Sequence, residues 1–219
     1  MSLTTNALIV SPVLSRDTVI ADIGYSYTAS TVPGTGLLGH AAPTTFDETK
    51  AIFYCYNGEN SNLSIYPTFL RLTMTVLPVG NTMQKFTTIL DQGNRFSAYV
   101  AGNALPLVNQ NQNSQNASAA QIGAGAITLT AATSSRRIVS HRLFRPVIGV
   151  VGDVYQFSYG SGELVDPSAL PVDGTARAHV MYILPPLVIP PNTMLAIHAW
   201  GATFSTGATY EFEFGYTEK

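Results

Sequence analysis

The sequence predicts an all-β protein, an antiparallel, jelly-roll-like β-sandwich of about eight to ten strands. Three observations lead to this fold class. Apolar and polar residues alternate in many short segments, clusters of Gly, Pro, Asn and Asp separate those segments, and apolar residues rarely recur at helical spacing. A chain of 219 residues is long enough to bury a substantial core, so residues 1–219 are predicted to form one domain.

The segment LRLTMTV, residues 70–76, shows the alternation most clearly. Its apolar side chains, Leu70, Leu72, Met74 and Val76, are predicted to face the core. The same reasoning predicts further strands at residues 51–57, 84–90, 126–131, 136–144, 153–160, 177–184, 193–200 and 209–216.

The stretch LPPLVIPPNT, residues 184–193, predicts that the chain crosses from one sheet to the other. Proline lacks the N–H that a sheet ladder needs, so each Pro-Pro pair interrupts strand pairing and residues 187–189 form an extended bridge. Asn192 is predicted to turn the chain into the strand 193–200. We further expect this crossing to make 193–200 and 209–216 neighbours in one sheet.

Two stretches carry no clean period and are predicted to be long polar loops, residues 28–48 and 101–125. They are interpreted as loops at one end of the sandwich or as excursions onto a neighbouring subunit. The Asn/Gln/Ser tract of the second stretch is also compatible with disorder. Residues 1–20 are apolar without helical spacing, which predicts either an extended N-terminal arm on a neighbouring subunit or a first edge strand.

Charged residues make up only 11% of the chain, where an ordinary domain carries about 25%. A neutral polar surface of this kind favours a protein that packs against copies of itself or other subunits, although a secreted β protein would share it. The net charge of −2 argues against non-specific nucleic-acid binding. No apolar run approaches the roughly 20 residues that span a bilayer, so no membrane partner is expected.

The last predicted strand, TYEFEFGY, places its aromatic residues on one face and Glu211 and Glu213 on the other. Two carboxylates at this spacing could act as an acid and a base or hold a hard cation. Because like charges this close repel unless they are solvated or paired, a solvent-facing or subunit-contact surface is favoured. Glu211 and Glu213 are therefore candidate subunit contacts, met by arginines from another chain.

The segment RRIVSHRLFR contains Arg136, Arg137, Arg142 and Arg145 within ten residues. As a strand it would direct Arg136 and Arg142 to one face and Arg137 and His141 to the other. Arginine pairs carboxylates bidentately with a smaller hydration penalty than lysine, which indicates a subunit contact. Contact with packaged nucleic acid and a solvated edge strand protected by charge remain the alternatives.

No catalytic, cofactor-binding or metal-binding residue is predicted. The histidines, at positions 40, 141, 179 and 198, have no metal-ligand spacing, and no nucleophile elbow, phosphate loop or paired C-x-x-C motif occurs. The single cysteine, Cys55, lies in the apolar run AIFYCYN and is predicted to be a buried small hydrophobe.

Four segments, IYPTFLRLTMT, LDQGNRFSAYVAG, ILPPLVIPPNTMLAIHAW and TYEFEFGYTE, resemble structural proteins of tailed-bacteriophage virions. The resemblance covers residues 50–219. It implies a jelly-roll β-sandwich that serves as a decoration, minor capsid or fibre-associated protein, made in the host cytoplasm and located in the virion. It also implies packing in symmetric copies, with a trimer expected, and contact with other virion proteins.

Two other classes of function compete with a non-enzymatic virion component. A carbohydrate- or receptor-binding jelly-roll module would expose Trp or Tyr on its long loops, but residues 28–48 and 101–125 contain neither. A glycosidase of sandwich fold would need two carboxylates roughly 5–10 Å apart in a groove. The acidic residues here are scattered and mostly lie in predicted turns, so the sequence predicts no enzyme.

Overall fold

The computed structural model is a sandwich of two β-sheets, which confirms the predicted all-β class. It describes residues 16–40, 44–80, 84–92, 95–99, 103–131, 136–143, 149–160, 179–201 and 205–219. These residues form one short helix and thirteen strands: α1 (Arg16–Asp22), β1 (Ser26–Ser30), β2 (Leu37–Leu38), β3 (Lys50–Asn57), β4 (Ile65–Val76), β5 (Lys85–Gln92), β6 (Phe96–Tyr99), β7 (Leu107–Asn109), β8 (Ala120–Leu129), β9 (Arg137–Leu143), β10 (Val154–Tyr159), β11 (His179–Leu184), β12 (Thr193–Trp200) and β13 (Thr209–Glu218).

The strands of the two sheets pair in a nested order, early strands with late ones. Sheet A has the order β11-β10-β4-β13-β1-β7, with β2 beside β13, and sheet B has the order β6-β8-β3-β12-β5-β9. Early strands pair antiparallel with late ones in a nested series, β1 with β13, β3 with β12, β4 with β10 and β5 with β9. This nesting defines a jelly roll. One pair departs from the expected antiparallel pattern, because β10 and β11 run parallel.

The main core lies between the sheets and is rich in aromatic rings. The ring of Phe53 on sheet B lies 5.1 Å, centroid to centroid, from that of Phe214 on sheet A. Phe86 on sheet B likewise lies 5.8 Å from Phe157 on sheet A. Tilted and edge-to-face ring contacts of this kind add to the free energy gained from burial. Cys55 is fully buried in this core, as predicted.

Three of the four core residues predicted on β4 are buried, namely Leu70, Leu72 and Met74. The prediction that Val76 faces the core is wrong, since 54% of Val76 is exposed. The reason is a register shift near the end of the strand. Met74 lies opposite Tyr210 and Val76 lies opposite Thr209, so β4 carries one extra residue there. A bulge of this kind breaks the alternation on which the prediction depended.

Sheet B is also covered on its outer face. A second buried cluster there consists of Ala51, Tyr54, Tyr56, Ile127, Leu129, Met194 and Ala196. The segment 44–49 lies along this face, where the Phe46 ring contacts His198 and the carbonyl of Glu48 accepts a hydrogen bond of 3.1 Å from His198 Nε2. Every residue of β12 from Thr193 to Ala199 is therefore buried, on both faces of the sheet.

The Pro-Pro bridge crosses between sheets as predicted, since β11 belongs to sheet A and β12 to sheet B. Asn192 has a φ of 55°, the left-handed conformation that reverses the chain. Asn57 holds the bridge by donating from Nδ2 to the Ile189 carbonyl at 2.9 Å. The expectation that 193–200 and 209–216 pair is wrong: β12 lies between β3 and β5 in sheet B, and β13 lies between β4 and β1 in sheet A. The chain crosses a second time between them.

The two predicted loops are shorter than expected. Strand β1 extends into 28–48, which also contains β2, and 101–125 contains β7 and the first half of β8. Cross-strand partners stabilise these segments despite their weak alternation. The remaining Asn-rich loop, 110–119, lies on α1 of the same chain, where Asn111 Nδ2 donates to the Asp22 carbonyl at 2.8 Å and Asn116 Nδ2 to the Ile23 carbonyl at 3.1 Å.

The expectation of an extended or strand-like segment over residues 1–20 is wrong for residues 16–20, which belong to α1, and residues 1–15 lie outside the described residues. Gly24 ends the helix with a φ of 79°. Its N–H donates to the Ala21 carbonyl at 3.0 Å, which is typical of a glycine that terminates a helix. A Cβ at this position would lie 2.1 Å from Ser114 Oγ. Among the described residues, no helix is long and apolar enough to span a membrane.

Candidate functional site

A polar groove of about 410 Å³ lies on the outer face of sheet A and contains both predicted glutamates. Strands β1, β4 and β13 form its floor, and the turn after β1 forms one wall. Its lining is Thr28, Ser30, Thr31, Pro33, Arg71, Thr73, Val108, Glu211, Phe212 and Glu213. We call this the sheet A groove.

Glu213 lies directly opposite Arg71 on the neighbouring strand β4. Their side chains form an ion pair, with 46% of the Arg71 side chain and 34% of the Glu213 side chain exposed. Water screens such a pair, which limits its contribution to stability to about 0–1 kcal/mol. Glu213 therefore has a partner within its own chain, in addition to any arginine of another chain.

Glu211 is held by the turn that follows β1. Its Oε1 accepts a hydrogen bond of 2.7 Å from the Gly34 N–H. Thr31 anchors the turn to β13, because its N–H donates to the Phe212 carbonyl at 3.0 Å and its Oγ1 accepts from the Phe212 N–H at 3.2 Å. The outward orientation predicted for both glutamates is confirmed, since both line the groove while Phe212 and Phe214 are buried.

The groove combines hydroxyl groups with charged groups in fixed positions. Thr28, Ser30 and Thr73 are half-buried and line the groove together with Arg71 and Glu213. Hydroxyl, carboxylate and guanidinium groups are the hydrogen-bonding partners that a polyhydroxylated or amide-bearing ligand requires. The arrangement can therefore orient a neutral polar ligand or the polar surface of another subunit.

The predicted arginines lie at the edge of sheet B. Arg136 directly precedes the edge strand β9 and Arg137 begins it, and both are exposed. Arg142 lies opposite Phe86 in the register, and Arg145 lies outside the described residues. A bulge near Val139 interrupts the pairing of β9 with β5, so the simple alternation expected between Arg136 and Arg142 does not continue through the strand.

A charge network that no local sequence pattern indicates lies on the outer face of sheet B. Arg95 is 4% exposed and Asp91 is 3% exposed, and Arg95 Nη1 lies 3.1 Å from Asp91 Oδ2. Arg95 Nη2 lies 4.0 Å from Glu48 Oε1, and Arg136 forms an ion pair with the same Glu48 carboxylate. The network connects the edge arginine to the buried interior.

Among the described residues, the predicted arginines and glutamates do not come together within one chain. Glu211 and Glu213 lie in sheet A, whereas Arg136, Arg137 and Arg142 lie at or next to the edge of sheet B. The partners observed are Arg71 for Glu213 and Glu48 for Arg136. Strand alternation gave the orientation of Arg71, but its partner depends on the order of strands in the sheet, which no local pattern encodes.

Large aliphatic side chains are exposed together at one end of the sandwich. Val76 and Leu38 flank Thr209 on either side in the register of sheet A. The Val79 N–H donates to the Thr206 carbonyl at 3.1 Å, and the Gly152 N–H donates to the Met74 carbonyl at 2.7 Å. These bonds hold neighbouring turns beside the end of β4. We call the exposed residues there the end patch: Leu38, Val76, Leu77, Val79 and Val151.

His198 is buried on the outer face of sheet B. Burial lowers the pKa of His198 to about 4, so the ring is neutral at pH 7. His40 Nε2 donates to the Ile127 carbonyl at 2.7 Å, and burial lowers the pKa of His40 as well. No group of three or more His, Cys, Asp or Glu side chains in the described parts of the chain could hold a metal ion.

The fold defines a jelly-roll β-sandwich protein with a polar groove on one sheet and a buried charge network on the other. Comparison of the chain with protein-family models, with curated proteins and with solved structures gave no match.

Proposed function

We propose that this protein is a non-enzymatic structural component of a bacteriophage virion. In this role it packs in symmetric copies, as a trimer, and contacts other virion proteins on the capsid or at a fibre or tail attachment. The resemblance of residues 50–219 to tailed-phage structural proteins supports the assignment to a virion. The jelly-roll fold is compatible with it, since viral capsid proteins use this fold, although lectins do so too.

The end patch is the observation that carries the proposal of assembly. Val76 and Val79 are 54% and 60% exposed, and the exposed residues Leu38, Leu77 and Val151 lie on neighbouring strands and turns. Several large aliphatic side chains exposed at neighbouring positions are typical of a surface that another protein covers. The low charge of the chain acts in the same direction, because charged residues are depleted at the centre of protein–protein interfaces.

Replacement of Val76 and Val79 together by Asp tests this proposal. Buried in a subunit contact, the two carboxylates would lose hydration without gaining a partner, so we expect the assembled species to be lost. Val188→Asp is the matched control, because Val188 is also exposed but lies near Ile65, at the other end of β4. Negative-stain electron microscopy should show closed symmetric particles for the wild type and the control. Unchanged particles for the double variant would contradict the proposal.

The edge arginines and the groove glutamates are proposed as further contacts between subunits. Arg136 and Arg137 are exposed at the edge of sheet B, and Glu211 and Glu213 line a groove on sheet A. Exposed ion pairs contribute only about 0–1 kcal/mol each, so their role would be orientation of the subunits. Reversal of Arg136, Arg137 and Arg142 to Glu should reduce assembly. If the triple variant folds and assembles as the wild type does, the arginines of β9 make no subunit contact and β9 is a solvated edge strand.

A carbohydrate- or receptor-binding module of the virion is the second candidate function, and the sheet A groove favours it. Its hydroxyl groups and the Arg71–Glu213 pair offer both donors and acceptors to a sugar. Binding of neutral oligosaccharides to the wild type, lost on Thr73→Val together with Arg71→Ala, would support this function. A glycan array without a signal would count against it.

A further inference from the structure

The segment 44–49 lies on the outer face of sheet B but belongs to neither sheet, and we call it the strap. The centroid of the Phe46 ring lies 5.5 Å from that of the buried His198 ring and 6.3 Å from that of Trp200. His198 Nε2 donates a hydrogen bond of 3.1 Å to the Glu48 carbonyl. The strap therefore covers the end of β12 through contacts with the side chains of that strand.

Ion pairs fasten the strap at the end that leads into β3. The Glu48 carboxylate pairs with Arg136 and lies 4.0 Å, from Oε1, from Nη2 of the buried Arg95. The backbone joins sheet B at Thr49, whose carbonyl accepts a hydrogen bond of 2.7 Å from the Leu129 N–H. The part of the strap before Thr49 contains no strand, so its removal from the face breaks no strand pairing.

His198 is a titratable group beneath the strap. It is 1% exposed, and burial lowers its pKa to about 4. The Arg95 guanidinium and the His40 ring also disfavour a protonated His198, whereas the Asp47 carboxylate of the strap favours one. Because the strap contributes to the burial of His198, its removal lets water reach the ring and brings the pKa of His198 back toward 6.5.

The other charged groups on this side of sheet B already have partners. The ion pairs are Asp91 with Arg95, Lys50 with Asp47, and Arg136 with Glu48. The exposed His141 ring stacks on Trp200, and the Lys85 ammonium lies 4.4 Å from the centre of the same Trp200 ring. A proton on His198 beneath the closed strap would therefore be a buried charge close to a buried guanidinium, which is unfavourable.

We propose that the strap detaches from sheet B in acid while the two sheets stay folded. The proposal concerns the single chain and does not rest on the proposed function. With a pKa of about 4 for His198 beneath the closed strap and 6.5 beneath the open one, the ratio of open to closed chains rises about 70-fold from pH 7.5 to pH 4.5. Opening exposes Trp200 and separates Glu48 from Arg136, which changes the charge beside the edge strand β9.

Fluorescence quenching by Trp200, the single tryptophan, tests the proposal with the full chain. A bimane label is attached to Thr45→Cys, because Thr45 is exposed and directly precedes Phe46, and the natural Cys55 is fully buried. An indole ring in contact with bimane quenches it, so the closed strap is dark. We expect the emission to rise severalfold from pH 7.5 to pH 4.5 with an unchanged near-UV circular dichroism spectrum. The same label on Thr35→Cys, at an exposed turn after β1, controls for effects of pH on the dye.

Three substitutions in the labelled chain identify the group that responds to acid. His198→Gln keeps a donor for the Glu48 carbonyl but cannot bind the proton, so its emission should stay constant with pH. His141→Gln is the matched control, because His141 is exposed and stacks on Trp200 on the same face, and it should respond as the unsubstituted chain does. Glu48→Gln removes the ion pairs of the strap, so its response should move to higher pH.

Each outcome supports or overturns the proposal. A rise in emission that is lost in His198→Gln and kept in His141→Gln supports it. Constant emission from the folded, unsubstituted chain overturns it, as does a rise that persists in His198→Gln. Loss of the circular dichroism signal over the same pH range also overturns it, because the whole chain then unfolds with the strap. If His198→Gln does not fold, an unshifted response of Glu48→Gln overturns the proposal and a shifted one supports it.

Discussion

Arg71 on β4 and Glu213 on β13 are register partners in sheet A, and their side chains form an ion pair on its outer face. Both residues line the sheet A groove, where the sequence predicted a glutamate that meets an arginine of another chain. Glu213 is thus already paired in the single chain, so a subunit that approaches this face meets a neutralised pair in place of a free carboxylate.

The first prediction concerns the strength of this pair. In a double-mutant cycle of Arg71→Ala and Glu213→Ala, we expect a coupling free energy of about 0.2–1 kcal/mol, because both groups are partly exposed. The coupling should decrease in high salt, which screens exposed charges. Urea unfolding of the four proteins measures it. A coupling that is several times larger would mean that another subunit buries the pair.

The second prediction tests the assignment of strand faces. Phe212→Ala removes a ring that is buried between the sheets, and we expect the free energy of unfolding to decrease by about 3–5 kcal/mol. Val76→Ala is the control, since Val76 is exposed in the single chain and its truncation should change stability by at most about 0.5 kcal/mol. Thermal unfolding of both variants measures the difference. Equal melting temperatures for Phe212→Ala and the wild type would refute the assignment.

The third prediction concerns the buried charge network on sheet B. Asp91→Ala leaves the guanidinium of Arg95 buried without its nearest carboxylate, and we expect a loss of about 3–5 kcal/mol in the free energy of unfolding. Lys50→Ala breaks the exposed Lys50–Asp47 pair and should lower it by at most about 1 kcal/mol. Chemical denaturation compares the two. Similar losses would show that solvent reaches Arg95.

The fourth prediction is a pH dependence caused by His198. Its pKa is about 4 in the folded protein, against 6.5 for an unperturbed histidine, so between these values the unfolded chain binds a proton that the folded chain does not. Stability should therefore decrease by about 3 kcal/mol as the pH falls from 6.5 to 4. His198→Gln should remove this part of the slope while keeping a polar side chain. A variant with the wild-type pH dependence would contradict the assignment.

Local patterns in the sequence predicted the strands better than they predicted the neighbours of each strand. The Pro-Pro pairs and Asn192 act through their own backbone restrictions, so the crossing between sheets could be predicted from the sequence. The placement of β12 and β13 in different sheets could not be predicted in this way. It depends on a second crossing of the chain and on the position of β13 between β4 and β1. Val76 was assigned to the core because a bulge leaves no local signature in LRLTMTV.

The same difference between local patterns and strand neighbours applies to the candidate site. Alternation along β13 was sufficient to orient Glu211 and Glu213 outward, but Arg71 is 142 residues from Glu213 and meets it only through strand pairing. Helix α1 was missed because seven residues are too few to show a helical period. The sequence did not distinguish an ordered Asn-rich loop from a disordered one. The order of this loop depends on hydrogen bonds from its Asn side chains to carbonyls at the end of α1, which is distant in the sequence.

Size-exclusion chromatography with multi-angle light scattering tests the central claim, that the protein assembles with copies of itself. The purified chain should elute as a species with three times the mass of one chain, and the Val76→Asp/Val79→Asp variant should elute at the mass of a single chain. A wild type that stays monomeric at every concentration measured would contradict self-assembly, and with it the interpretation of the end patch.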